Sequence, residues 1–218
     1  VVVDKPSGLL VHRPEPGYAW EWAALLQQVR VATGDRVYAV HRLDRATSGV
    51  TVLARHREAA SRLAAAFRER RVDKVYWAVV RGWPAESGRV ERALQSREGG
   101  PEREAVTDFR VLARAEAPWP VDSWPTARYA WVEARPQTGR WHQIRRHLRG
   151  LSHPVIGDTT HGDGTHNRLF REHLDCHRLL LHARALTVPH PADGRPCTWQ
   201  AEPDPTWQRV LSALFGNR

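Results

Sequence analysis

The chain has 218 residues, 41% hydrophobic and 26% charged, which is the composition of one soluble globular domain or a closely fused pair. No apolar run approaches the roughly 20 residues a membrane span needs, and Val1-Val2-Val3 is cut short by Asp4, Lys5 and Pro6, so neither anchor nor signal peptide is expected. Cys176 and Cys197 are too few for a disulfide framework and form no paired-cysteine metal motif, which points to a reducing, cytoplasmic setting. The formal charge of +9 asks for a polyanionic partner. Of 33 basic residues, 2 are Lys (Lys5 and Lys74) and 31 are Arg. Arginine forks onto phosphate and stacks on bases, so the excess suits nucleic acid, although a GC-rich genome gives the same bias.

The chain opens inside a strand and lacks methionine, so a trimmed N-terminus is expected. Tyr18 to Val31 reads as a helix with Trp22, Leu25, Leu26 and Val29 on one side, ended by Thr33-Gly34-Asp35. Short apolar strands follow at Val37 to Val40 and Val50 to Ala54. From Glu58 to Arg71 the spacing of Ala59, Leu63 and Phe67 predicts an amphipathic helix packed on a sheet. Lys74 to Val80, Ala105 to Leu112 and Arg128 to Ala134 are rich in β-branched and aromatic residues and are separated by Gly and Pro, as antiparallel strands are. Pro118 to Pro125 reads as a loop with exposed aromatics or a stiff lid. Thr138 is placed to cap a helix from Gly139 to about Leu148 that buries Trp141, Ile144 and Leu148 and turns Arg145, Arg146 and Arg149 elsewhere. Leu179 to Val188 is the last strong strand. With strands connecting mostly to strands, the expected class is α+β with a largely antiparallel sheet, in one domain over residues 1–218.

The densest cluster of reactive side chains is His41-Arg42-Leu43-Asp44-Arg45-Ala46-Thr47-Ser48-Gly49, a charged turn between two hydrophobic strands, where rigid flanks suit an active site. On spacing alone a structural job for Asp44 is the commoner outcome: capping a turn at Thr47 or Ser48, or pairing with a neighbouring Arg. His161, His166, His173, Cys176 and His177 invite a zinc reading, but their spacings form no two-plus-two ligand set, and solvated or RNA-facing imidazoles are expected instead.

The Asp44 segment resembles the signature of the RluA family of pseudouridine synthases, and three more landmarks follow in that family's order. These are Lys74 to Gly82, Thr138 to Leu148 with His153 to Asp158 close behind, and Leu181-His182-Ala183. Within the family the chain is most similar to the tRNA pseudouridine-65 synthase branch, through Asp4 to Gly8, Val11-His12-Arg13, Val80 to Trp83, Pro125 to Tyr129 and Gly157-Asp158 followed by His161-Gly162-Asp163. Ala46 and Trp141 depart from common family usage.

The resemblance implies a pseudouridine synthase fold that brings Asp44, Tyr76 and Arg145 into one arginine-lined cleft. Asp44 is the implied catalytic carboxylate, Arg145 its partner, and Tyr76 the ring that stacks on uracil. Arg42 would fill the space left by the extruded base, Leu181 would wall the pocket, and His41 and Arg140 would help bind substrate. The implied reaction needs no cofactor and no metal. The implied partner is structured RNA, tRNA first and ribosomal RNA second, met by a cytoplasmic monomer without an appended RNA-binding domain. A non-catalytic RNA-binding protein on the same fold is the more distant alternative.

Overall fold

The computed structural model describes residues 1–12, 24–96 and 99–216. In chain order the elements are β1 (Val2–Lys5), α1 (Leu25–Thr33), β2 (Tyr38–Ala39), β3 (Ser48–Ala54), α2 (Arg57–Arg68), β4 (Asp73–Arg81) and β5 (Ser87–Glu91). There follow β6 (Val106–Ala117), β7 (Ala127–Pro136), α3 (Gln143–Gly150), α4 (Gly164–Leu174), β8 (Leu181–Pro189), β9 (Pro196–Gln200) and α5 (Pro205–Phe215). They form two compact units. One comprises Val1–Lys74 and Ala183–Glu202, the other Val75–His182 and Pro203–Arg218.

In the first unit β3 is buried along its whole length, which explains why it reads as a continuous apolar run and not as an alternating one. β1 pairs with it antiparallel from Val2↔Val52 to Lys5↔Gly49, β2 pairs at Tyr38↔Ala54 and Ala39↔Leu53, and β9 pairs with β8. Leu25 and Val29 of α1 close over Val37 and Leu53. Ala24 offers no capping side chain, so the first amides of α1 donate instead to Leu10 O (2.8 Å) and Val11 O (3.1 Å). The helix expected over Tyr18 to Val31 is α1; its residues 18–23, Trp22 among them, lie outside the described residues. At its far end the helix runs past Val31, which is exposed, and stops where Gly34 takes a left-handed turn (φ 70°).

The second unit is built on an antiparallel meander in the order β4-β7-β6-β5. α4 and α5 cover a core of Trp119, Tyr129, Phe170 and Trp207. Burial of side chains this large stabilises by roughly 1.5–3 kcal/mol each. Two expectations are corrected here. Of the two tryptophans in the 118–125 loop, only Trp124 is exposed (69%); Trp119 is buried, stacked on His173 with centroids 4.7 Å apart. The helix expected from Gly139 begins at Gln143, after His142 in a left-handed conformation (φ 52°), and it buries Arg145 along with Ile144 and Leu148. Among the described residues no helix is long and apolar enough to cross a membrane.

Candidate active site

Asp44 lies half-buried in a turn closed by a bond from Thr47 N to Asp44 O (3.1 Å), directly ahead of the buried β3. The turn is bolted to the first loop of the chain. Gly8 N donates to Arg45 O (2.8 Å), Ser7 Oγ to Ala46 O (2.7 Å) and Arg45 Nε to Gly8 O (3.0 Å). At the centre of these contacts sits Lys5, fully buried, whose Nζ donates to Pro6 O (2.9 Å), Leu9 O (2.8 Å) and Arg45 O (3.2 Å). Three carbonyls converging on one atom match a compact ammonium with three donors and not a planar guanidinium. That is a physical reason for one of the two lysines in an arginine-rich chain, and the rarity of Lys is the signal for it in the sequence. Gly49 is required on the other flank: its φ is 114°, and a side-chain carbon there would come within 2.3 Å of Ala183 O.

His41 braces the same segment. Its Nε2 accepts from Val52 N (2.9 Å), and its ring stacks on Phe67 with centroids 4.7 Å apart. Burial, aided by the nearby Lys74 charge, lowers its pKa to about 4, so the ring is neutral at physiological pH, as an acceptor at Nε2 must be. Arg42, next in the turn, is exposed.

The remaining expected site residues belong to the second unit. Tyr76 is half-buried on β4, opposite Ala134 of β7. Leu181 is buried at the start of β8, next to Leu180, which is bonded to both Val79 and Ile156. Arg140 precedes α3, with Nε donating to Glu104 O (3.0 Å). Thr138 does not cap α3 directly. Its hydroxyl donates to Gln143 Oε1 (2.7 Å) and accepts from Val106 N (3.0 Å). Gln143 also takes Arg140 N (3.0 Å) and gives its amide hydrogens to Val106 O and Thr107 Oγ1 (both 2.9 Å). From Thr107 the relay passes to His147 Nδ1 (2.9 Å), whose Nε2 donates to Arg92 O (3.1 Å). Burial lowers the His147 pKa and keeps the ring in the neutral form this relay needs.

Arg145 is held by Asp158, a residue that the sequence marks as part of the His153 to Asp158 landmark and gives no role. Nε and Nη2 donate to the two carboxylate oxygens of Asp158 at 2.6 and 2.7 Å, with side-chain exposures of 6% and 0%. Asp158 Oδ1 also accepts from Thr160 N and His161 N (both 2.9 Å). Burial alone would raise the Asp158 pKa; the Arg145 and backbone hydrogen bonds outweigh it and hold the carboxyl below its ordinary value. Asn167 fixes the loop behind it, donating to Asp158 O (3.0 Å) and accepting from Gly157 N (2.6 Å). Gly157 (φ 77°) packs so closely on Arg178 O that no side chain fits.

The five His and Cys residues downstream go to separate partners. His161 bonds His142 (2.9 Å), His166 bonds Tyr129 OH (3.0 Å), His173 stacks on Trp119, Cys176 is buried, and His177 bonds Asp175 (2.9 Å). Among the described residues no three His, Cys, Asp or Glu side chains cluster as metal ligands do.

Comparison with known proteins places these segments. A family model described as RNA pseudouridylate synthase matches residues 1–149. A Vibrio parahaemolyticus protein named tRNA pseudouridine synthase C is 42% identical over 229 residues, covering 97% of this chain and 90% of that protein. A Salmonella typhi protein of the same name is 43% identical over 232 residues, covering 100% and 87%. The solved structure of Human RNA Pseudouridylate Synthase Domain Containing 4 superposes with a TM-score of 0.72 at 26% identity, covering 96% of this chain and 87% of that one. Asp44, Tyr76 and Arg145 all fall inside the matched 149 residues, and the mixed, mostly antiparallel architecture agrees: the chain belongs to the RNA pseudouridylate synthase family.

Proposed function

We propose that this enzyme isomerises one uridine of a tRNA to pseudouridine, at a position-65 type of site in the T-stem, working as a cytoplasmic monomer without metal or cofactor. The observation that carries the tRNA reading is identity above 40% over nearly the full chain to relatives bearing that substrate in their name. The reaction breaks the bond from N1 to C1′ of ribose, turns the base, joins C5 to C1′, and moves one proton from C5 to solvent while N1 gains one. Its balance calls for no oxidant and no net water.

Asp44 acts at the ribose, as nucleophile on C1′ or as base at C2′, and both roles need the ionised carboxylate. Arg145 supplies the positive charge that favours that form. Tyr76 stacks on the uracil ring and assists loss of the C5 proton, Leu181 forms an apolar wall, and Arg140 binds the RNA. His41, whose Nε2 is already engaged, acts by supporting the turn. Incubation with unmodified tRNA and with ribosomal RNA fragments, followed by chemical labelling of pseudouridine, should mark one T-stem uridine. Labels confined to ribosomal RNA would replace the tRNA assignment.

Arg42 fills the space the uridine vacates. Unstacking a base costs a few kcal/mol, so Arg42→Ala should slow single turnover on folded tRNA by about tenfold or more while changing initial binding much less. A substrate with the target uridine already bulged should recover part of the loss. Equal defects on both substrates would assign Arg42 another task.

A further inference from the structure

Where α3 ends, three guanidiniums surround one notch of about 240 Å³, lined by Arg92, Leu94, Glu102, Arg146, Arg149 and His161. Arg146 and Arg149 stand three residues apart on α3, on the same side of the helix. Nη1 of Arg146 donates to Gln95 O (2.8 Å), and Nη1 of Arg149 to His161 O (3.0 Å) and Gly162 O (3.1 Å), so both heads are fixed in place by carbonyls. Arg92 reaches in from the far side, above Gly150; a side-chain carbon on that glycine would come within 3.1 Å of its Nη1. Arg146 also lies 5.6 Å from the centre of the Trp141 ring.

The charge balance of the notch is what distinguishes it. Several arginines elsewhere meet carboxylates, as Arg55 does Asp35, Arg81 Asp163, Arg110 Glu133 and Arg145 Asp158. Among the described residues no carboxylate lies within ion-pair distance of Arg92, Arg146 or Arg149, although Glu102 stands on the rim. The helix end offsets only about half a charge. Like charges gathered this closely repel unless an anion joins them. The charges of Arg146 and Arg149 also contribute, after burial and Arg145, to the lowered pKa of His161.

We infer that this notch is a phosphate-binding subsite that takes a backbone phosphodiester of the RNA substrate. The inference rests on the RNA-modifying reading above and deepens it. Arginine matches a phosphodiester through paired N–H donors, and heads pinned on carbonyls lose little freedom on binding. The subsite sits on the helix that carries Arg145, so a phosphate gripped there sets the register of the RNA relative to that residue.

The test is binding of an unmodified tRNA transcript between about 50 and 200 mM salt. Arg92→Gln and Arg149→Gln should each lower the slope of log K against log salt by part of the share of one phosphate, and Arg92→Gln/Arg149→Gln by about 0.7 to 0.9, with weaker binding in all three. Arg149→Lys keeps a charge and should keep most of the slope. Slopes unchanged in the glutamine variants overturn the proposal, and so does Arg149→Lys lowering the slope as far as Arg149→Gln, which would make the carbonyl bonds the whole role. Inorganic phosphate titrated at constant ionic strength should not compete with tRNA. Competition that leaves the variant slopes at the wild-type value would mark a site for the free ion and overturn the RNA assignment. If wild-type protein modifies no RNA while the slope differences persist, the catalytic reading fails and the subsite stands; modification with coincident slopes keeps the catalytic reading and overturns the subsite.

Discussion

Asp44→Asn should lower pseudouridine formation by about a thousandfold or more while leaving tRNA affinity within about twofold. The amide has the shape of the carboxylate but neither its charge nor its nucleophilicity, and both routes open to Asp44 depend on those. The turn itself should survive. It keeps the bonds that run through the backbone at Asp44, Arg45 and Ala46 and through the side chains of Ser7, Arg45 and Lys5, none of which the substitution removes. Tritium release from tRNA labelled at uridine C5 measures the chemistry, and a thermal melt beside it checks the fold. Release at the wild-type rate would remove Asp44 from the mechanism. A lost activity accompanied by a collapsed melting temperature would assign it the capping role that spacing alone favours.

Features with local causes are legible in the sequence. The Asp44 turn stands between two apolar strands within a few residues, and α2 announces itself through Ala59 and Leu63, so both can be read directly. Pairings across long stretches of chain cannot. A charge beside Ile144 and Leu148 ordinarily turns outward, which is the expectation for Arg145; its burial depends on Asp158, thirteen residues on in a loop that Asn167 fixes. Lys5 looks like a break in an apolar opening, yet one of its bonds reaches 40 residues ahead to Arg45. Trp119 and Trp124 share one proline-rich loop and differ only in that Phe170, Tyr129 and His173 stand behind the first. α5 is absent from the sequence-based expectations despite a legible start, since Asp204 followed by Pro205 is a strong capping pair and Asp204 accepts from Trp207 N (3.1 Å).

Asp158→Asn should destabilise the second unit by about 3–5 kcal/mol, the range for removing one partner of a buried ion pair. Both side chains are almost wholly inaccessible, so the Arg145 charge would be left in a low-dielectric site facing a neutral amide. Arg145→Met/Asp158→Leu removes both halves of this pair and should cost less than Asp158→Asn, because neither half is left buried opposite a neutral group. The effect of pH has a definite sign. The folded-state pKa of Asp158 is depressed, so its contribution is present above the unfolded value of about 3.9 and is lost as pH falls through the folded value. The stability gap between wild type and Asp158→Asn should therefore be full near neutrality and narrow only in acid below about pH 4. Chemical denaturation followed by tryptophan fluorescence, repeated from neutral to acid pH, measures both the gap and its closure. A gap that stays constant into acid would show that the loop geometry, and not the carboxylate charge, holds Arg145. Activity separates the consequences: if Asp158 serves only to position Arg145, Asp158→Asn assayed well below its melting temperature should lose turnover while retaining tRNA affinity, since the guanidinium remains present but no longer fixed.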